Sequence, residues 1–108
     1  MKRQPVLEKS VVAGIMSALK TYPAIVVRKR HGTAMGVAGD ADLYGSVSGR
    51  HFEIEVKRPN CPSSQLTTLQ AQRLLEWHHA GALTGVARSS EDALRILGLA
   101  KSEIEPCQ

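Results

Sequence analysis

The charged side chains of residues 52–57 have a spacing that could support chemistry. Apolar and charged side chains alternate there, in the order Phe52, Glu53, Ile54, Glu55, Val56 and Lys57. A period of two predicts a β-strand with one apolar face and one charged face. Glu55 and Lys57 project from the same face because they are two residues apart. A solvated strand face is the commoner reason for such a pattern, but together with a second acidic strand these groups could form a metal-dependent phosphodiesterase site.

A second acidic stretch precedes this strand and supplies a possible partner for Glu55. Residues 42–47 predict a strand, a Ser-Gly turn dipeptide follows, and residues 50–57 predict the next strand. Two strands joined by so short a turn form a hairpin. The hairpin would place Asp42 directly beside Glu55.

These residues have the donor types that a hard divalent cation prefers, which are carboxylate and carbonyl oxygens. Asp42 and Glu55 could reach one ion together, and the backbone carbonyl of Val56 could be a further ligand. The Lys57 ammonium could orient a water or neutralise charge that develops on a phosphate. Glu8 could join from a preceding helix, either directly or through a water.

The first predicted helix, over residues 5–21, would carry Glu8 toward the body of the protein. Its helical stripe contains Glu8, Val12, Ile15 and Leu19. Two roles stay open for Glu8 at this stage. The carboxylate could stabilise the positive end of the helix dipole, or it could belong to the site.

The remaining elements predict an α/β domain with a mixed sheet flanked by helices, in the order α-β-β-β-α-β-α. A strand over residues 24–30 ends in a basic cluster, which could either contact phosphates or increase solubility. A helix over residues 67–81 begins with a capping box formed by Thr67 and Gln70. A strand over 83–88 and a helix from Ser90 to Leu97 complete the set. Because a helix links the last two strands, a crossover connection is expected.

Composition is that of a globular domain with a basic character. The 108 residues include 14 Lys and Arg against 10 Asp and Glu, for a net charge of +4. All of the excess lies in residues 1–60, which have ten Lys and Arg against five Asp and Glu, and this favours a polyanionic partner such as nucleic acid. No apolar run approaches the ~20 residues that span a bilayer, and no signal peptide is evident, so we expect a cytoplasmic protein. Cys61 and Cys107 have no zinc-site spacing.

Taken together, the motifs resemble the PD-(D/E)xK nuclease superfamily, and most closely its VRR-NUC branch. The matching segments are Glu8, residues 39–43 (GDADL), residues 53–59 (EIEVKRP), residues 66–70 (LTTLQ), residues 80–81 (AG) and residues 85–89 (GVARS). The resemblance covers residues 5–98 and implies that residues 1–108 are a single stand-alone VRR-NUC-like domain of the phage or bacterial kind, with a tail at 99–108. It also implies a restriction-endonuclease-like core.

The resemblance assigns roles to the candidate residues. Asp42, Glu55 and the Val56 carbonyl would bind Mg²⁺ or Mn²⁺, and Lys57 would be catalytic. Glu8 and Gln70 would complete the site.

One departure from the family pattern is visible beside the motif aspartate. The family often has proline before this aspartate, whereas Ala41 precedes Asp42. Asp40 lies on the same side as Asp42 and could assist it. Tyr44 shares the strand face of Asp42 and could contact the site residues without binding the metal itself.

The expected function is that of a Mg²⁺-dependent, structure-selective DNA endonuclease of the Holliday-junction-resolvase type, acting as a homodimer. Arg28, Lys29, Arg30 and Arg58 are the predicted DNA contacts. Two alternatives remain open. One is a flap or end nuclease in DNA repair or replication, and the other is a catalytically inactive nucleic-acid-binding module.

Overall fold

A four-stranded sheet with helices on both faces is the frame of the molecule. The structure, a computed structural model of the chain, describes residues 7–32, 36–59 and 65–99. In chain order the elements are α1 (Glu8–Leu19), β1 (Ile25–Lys29), β2 (Leu43–Val47), β3 (Arg50–Val56), α2 (Thr68–His79), β4 (Leu83–Ala87) and α3 (Ser90–Ile96). The predicted order, α/β class and mixed sheet are confirmed.

The sheet has the strand order β1-β2-β3-β4, with two antiparallel pairs and one parallel pair. β2 pairs antiparallel with both β1 and β3, whereas β3 and β4 run parallel. A parallel pair needs a crossover connection, and α2 supplies it. In the β2–β3 register Leu43 pairs with Ile54. Asp42 therefore lies just before the start of β2, opposite Glu55.

The apolar face of β3 forms the centre of the hydrophobic core. Phe52, Ile54 and Val56 are completely buried. They belong to a cluster with residues of α1, α3 and the neighbouring strands, among them Val12, Ile15, Leu19, Val27, Leu43, Ala87, Ala93 and Leu97. Burial of this much apolar surface is the main favourable term in the folding of such a domain. The predicted structural role of the apolar face is confirmed.

α2 covers the opposite face of the sheet, where the charged side chains of β3 project. The rings of His51 and Trp77 lie 4.4 Å apart, and Gln70 reaches Glu55. As a result the charged face is not a solvated surface, because Glu53 and Glu55 are almost fully buried. Charges are costly to bury without partners, so each needs a specific explanation.

Local capping signals account for the starts of α2 and α3. The predicted capping box is confirmed: the Thr67 side chain accepts from the Gln70 backbone N–H, and the Gln70 side chain accepts from the Thr67 backbone N–H. α3 begins at Ser90 as predicted, with Ser89 as its cap, since the Ser89 hydroxyl accepts from the Asp92 backbone N–H.

Several predicted features fall outside the described residues. They are residues 5 and 6 of the first helix, Cys61, Cys107 and the tail from residue 100 onward. Among the helices that the structure describes, none has the length and apolar content needed to cross a membrane.

Gly45 in the middle of β2 should be far less tolerant of a side chain than Gly14 in α1. A Cβ atom at Gly45 would overlap the Val26 carbonyl and touch the Phe52 ring, whereas at Gly14 its nearest neighbour would be the Ser90 hydroxyl at 3.9 Å. We expect Gly45→Ala to lower the free energy of unfolding by about 2 kcal/mol or more, because overpacking forces the backbone to shift. Gly14→Ala should be neutral or stabilise by up to about 1 kcal/mol, because alanine favours helix. Urea unfolding of both variants tests this, and equal effects would contradict it.

Candidate active site

The residue that precedes β2 places one carboxylate beside β3. Asp42 Oδ2 accepts a hydrogen bond from the Val56 backbone N–H at 2.9 Å. The Asp42 side chain thus takes the place that a backbone carbonyl would occupy if β2 were longer. The N–H and C=O of a strand residue point to the same side, so the Val56 carbonyl also faces the Asp42 side.

Glu55 is the buried centre of the site. It is 2% exposed. Its Oε2 atom accepts a hydrogen bond from Gln70 Nε2 at 3.1 Å and lies 3.7 Å from Lys57 Nζ. Its Oε1 atom is buried and receives no hydrogen bond from any described residue. A buried carboxylate oxygen without a donor is energetically unfavourable, so a cation or a hydrogen-bond donor beside this atom would stabilise it.

The electrostatics of Glu55 show the same imbalance. Burial raises the pKa of Glu55 from its ordinary 4.5 to about 8, and the neighbouring Asp42 carboxylate adds to the rise. Lys57 lowers this pKa and Glu8 raises it further, both by smaller amounts. Two carboxylates that face each other in a dry site repel when both are ionised. Lys57 alone does not compensate for this repulsion.

Lys57 and Glu8 occupy different kinds of position. Lys57 is only 9% exposed and follows β3 directly, on the face that carries Glu55. Glu8 begins α1 and is exposed, although its stripe partners Val12, Ile15 and Leu19 are buried. Its charge still acts on Glu55. The structure therefore places Glu8 at the rim of the site.

The donor set fits a hard divalent cation bound by few protein ligands. Within residues 7–32, 36–59 and 65–99, no three His, Cys, Asp or Glu side chains are grouped closely enough to hold a metal. Asp42 and Glu55 supply two carboxylates, and the Val56 carbonyl faces the same side. Mg²⁺ commonly binds through one or two carboxylates and keeps several waters. A cation here would also provide the positive partner that Glu55 Oε1 lacks.

Gln70 has two simultaneous contacts at the start of α2. Its Oε1 accepts from the Thr67 backbone N–H at 3.0 Å, which completes the capping box. Its Nε2 donates to Glu55 Oε2. The two amide atoms of one side chain therefore join the helix start to the buried carboxylate.

The four basic residues predicted to contact DNA do not share one environment. Arg28 and Lys29 are exposed. Arg58 is half-buried, and its backbone carbonyl accepts a hydrogen bond from Arg88. Arg30 instead forms an internal ion pair with Glu53, at 2.7 Å between Nη1 and Oε1. This geometry favours an internal role for Arg30 over the predicted phosphate contact.

The ion pair between Arg30 and Glu53 is a feature that the sequence did not reveal. Alternation correctly places Glu53 on the face of Glu55, but the sequence indicates no partner for it. The partner, Arg30, directly follows β1, which lies two strands away from β3 in the sheet. Its guanidinium carbon lies 4.5 Å from the ring centroid of Tyr44, the predicted neighbour of Asp42. Only the strand register could have indicated this contact in advance.

The raised pKa of Glu55 predicts a specific pH dependence of stability without divalent cations. Between pH 4.5 and about 8 the folded protein retains a proton that the unfolded chain has released. Its free energy of unfolding should therefore fall as pH rises through this window, by at most about 1.4 kcal/mol per pH unit from this group. Below pH 4.5 both states are protonated and this effect vanishes.

The variant Glu55→Gln isolates this effect because it has no proton to lose. Urea unfolding in EDTA at pH 5 and pH 8.5 should show that Glu55→Gln becomes progressively more stable than wild type as pH rises. Glu76→Gln, at an exposed position on α2, is the matched control and should follow wild type. Parallel pH curves for wild type and Glu55→Gln would contradict the burial argument.

Comparisons with known proteins bear on the fold. Neither the protein-family models nor the curated proteins gave a match to this sequence. Among solved structures, one named VRR_NUC domain protein is similar to this chain with a TM-score of 0.65 and 21% sequence identity, over 88% of each chain. At that identity the likeness is one of fold. The VRR-NUC resemblance seen in the sequence is thus confirmed at the level of fold: this chain folds as that VRR_NUC domain protein does.

Proposed function

We propose that this chain is a nuclease that hydrolyses DNA phosphodiester bonds with the help of Mg²⁺ or Mn²⁺. One observation carries the proposal: Glu55 is buried opposite Asp42 and beside Lys57, with one carboxylate oxygen that has no donor among the described residues. A structural ion pair would be satisfied internally. When both carboxylates are ionised, this site instead has more negative charge than Lys57 balances, as expected for a cation site.

The roles of the chain's own groups follow from their positions. Asp42, Glu55 and the Val56 carbonyl would hold the cation, which when bound would polarise the scissile phosphate and favour ionisation of a water. Lys57 Nζ, 3.7 Å from Glu55, can donate to a non-bridging phosphate oxygen or orient the attacking water. Gln70 holds Glu55 Oε2 and so fixes the direction of its other oxygen.

The similar structure's name, VRR_NUC domain protein, agrees with this chemistry. Exposed Arg28 and Lys29 would contact phosphates, which position DNA without reading its sequence. We further propose that branched DNA is the substrate and that the active form is a homodimer, because a two-fold dimer presents two sites to two symmetric strands. A four-way junction would then receive paired nicks.

The nuclease proposal predicts that cleavage requires both the carboxylate pair and the cation. Wild type should cut DNA in Mg²⁺ or Mn²⁺ and stop in EDTA. Asp42→Asn, Glu55→Gln and Lys57→Met should each lose about a hundredfold or more in rate, because each removes charge from the site of the developing transition state. Glu76→Gln is again the control and should retain activity. Cleavage that persists in EDTA or in Glu55→Gln would refute the proposal.

The substrate proposal is tested with the same protein on a matched panel. The panel contains a four-way junction, a flap, a fork, a linear duplex and a single strand of related sequence, with the cuts mapped on each labelled strand. Paired, symmetric nicks on the four-way junction are the expected result. Cleavage confined to flaps or single-stranded ends would replace the resolvase assignment with the flap-nuclease one and leave the chemistry intact.

The double contact of Gln70 predicts that its two roles can be separated. Thr67→Ala removes the cap hydroxyl but leaves the bond from Gln70 to Glu55, so it should lower stability by about 1 kcal/mol and retain cleavage. Gln70→Ala should lower stability by a similar amount and also slow cleavage. Thermal unfolding and cleavage rates of both variants decide the matter. Equal cleavage by the two would show that Gln70 is a helix cap alone.

A further inference from the structure

We propose that Arg30, held by the buried carboxylate of Glu53, is a positioning residue that fixes Asp42 in the candidate active site. The proposal rests on the proposed function, because it concerns one of the two carboxylates that would bind the cation. Glu53, which binds Arg30, has no role of its own in the candidate active site. Glu53 is completely buried, two residues before Glu55 and on the same face of β3.

The charge of Glu53 is satisfied inside the protein. Arg30 Nη1 donates to Glu53 Oε1 at 2.7 Å, and Arg30 Nη2 donates to Oε2 at 3.1 Å. His51 Nε2 lies 2.7 Å from the same Oε2. A two-pronged pairing of this kind fixes both the distance and the plane of the guanidinium group. Glu53 therefore serves as a rigid anchor for Arg30.

Arg30 in turn holds the segment that leads into β2. Its Nη1 donates to the Ala41 carbonyl at 2.7 Å, and its backbone N–H donates to the Asp42 carbonyl at 2.7 Å. Its Nε lies 3.8 Å from Asp40 Oδ2, and its guanidinium stacks on Tyr44. The Arg30 side chain therefore touches Asp40, Ala41 and Tyr44, and its backbone binds Asp42.

This segment needs an external anchor because its own backbone is permissive. It contains Gly36 and Gly39, and Gly39 has a φ of +84°, a conformation that glycine adopts readily. Asp42 itself lies outside the β2 ladder. Its carboxylate is held by the Val56 N–H, and its carbonyl is held by the Arg30 backbone N–H. The Arg30 side chain holds the preceding Ala41 carbonyl, and loss of that side-chain contact should loosen the bond between Asp42 and Val56.

A phosphate contact by Arg30 is the competing explanation, and it makes different predictions. If Arg30 contacts a phosphate, removal of its charge would weaken DNA binding and would lower the salt dependence of that binding by about one released counterion. It would leave the Asp42 carboxylate where it is. A positioning role would disturb the bond between Asp42 and the Val56 N–H and weaken cation binding, while DNA affinity without a cation stays the same.

The test compares two adjacent backbone amides by NMR hydrogen exchange in wild type and Arg30→Lys. The Val56 N–H is bound to Asp42, and the Lys57 N–H is bound to the Ala87 carbonyl across the sheet. Lysine keeps the positive charge but lacks the planar guanidinium group that donates two parallel hydrogen bonds. We expect Val56 exchange to accelerate about tenfold while Lys57 exchange changes less than twofold. Equal changes at both amides, or none at either, would overturn the proposal.

Cation binding provides the second readout. Calorimetric titration with Mn²⁺ alone should show a dissociation constant about tenfold larger for Arg30→Lys than for wild type. A loss of this size is typical when a contact that supports a metal ligand is removed. Arg95→Lys, a charge-conserving change at an exposed position on α3, is the matched control and should behave as wild type in both measurements. Asp42→Ala removes the acceptor and sets the full effect on Val56 exchange.

Two further outcomes distinguish failure of this proposal from failure of the proposed function and from failure of the variant to fold. If wild type binds no Mn²⁺, the proposed function fails, but the comparison of Val56 with Lys57 still decides the role of Arg30. If Arg30→Lys does not fold, Arg30→Gln combined with Glu53→Gln removes both charges together, so no buried charge is left unpaired, and this double variant should fold. That double variant should show the same selective acceleration at Val56, and its absence would overturn the proposal.

Discussion

The hydrogen bond from the Val56 amide to the Asp42 carboxylate is the contact on which the site depends. It exists because the ladder between β2 and β3 begins at the Leu43–Ile54 pair, so no backbone carbonyl of β2 reaches the Val56 N–H. A backbone donor next to a strand end must find another acceptor, and here a side chain takes that place. The same contact brings a second negative charge against Glu55. The Asp42 side chain therefore gives the Val56 N–H a hydrogen-bond acceptor and forms a carboxylate pair with Glu55.

The two glutamates of β3 show how neighbouring groups give the same side chain opposite roles. Both are buried and project from one face. Glu53 has an arginine with two matched donors, so its charge is compensated and it can act as an anchor. Glu55 has a lysine at a longer distance, an amide and a facing carboxylate. The remaining imbalance at Glu55 is what makes it, and not Glu53, the proposed cation ligand.

α2 has two functions in this arrangement, as cover and as contact. Its Trp77 packs on His51, which in turn lies against Glu53, and its Gln70 reaches Glu55. The helix thus excludes water from both glutamates, which strengthens every charge interaction beneath it. The beginning of the helix is tied to the site by the amide that also caps it. Helix formation and site assembly are coupled through one side chain.

The sequence by itself determined the order of the elements, the apolar face of β3 and the candidate set of Asp42, Glu55, Lys57 and Gln70. These depend on local periodicity, turn residues and capping, which act over a few neighbouring residues. The tertiary structure decided that Glu53 belongs to Arg30, that Glu8 lies at the rim and that Arg30 faces inward. Those outcomes depend on which strands pair and in which register, because the partners are 23 residues apart in the chain and meet only once the sheet has formed.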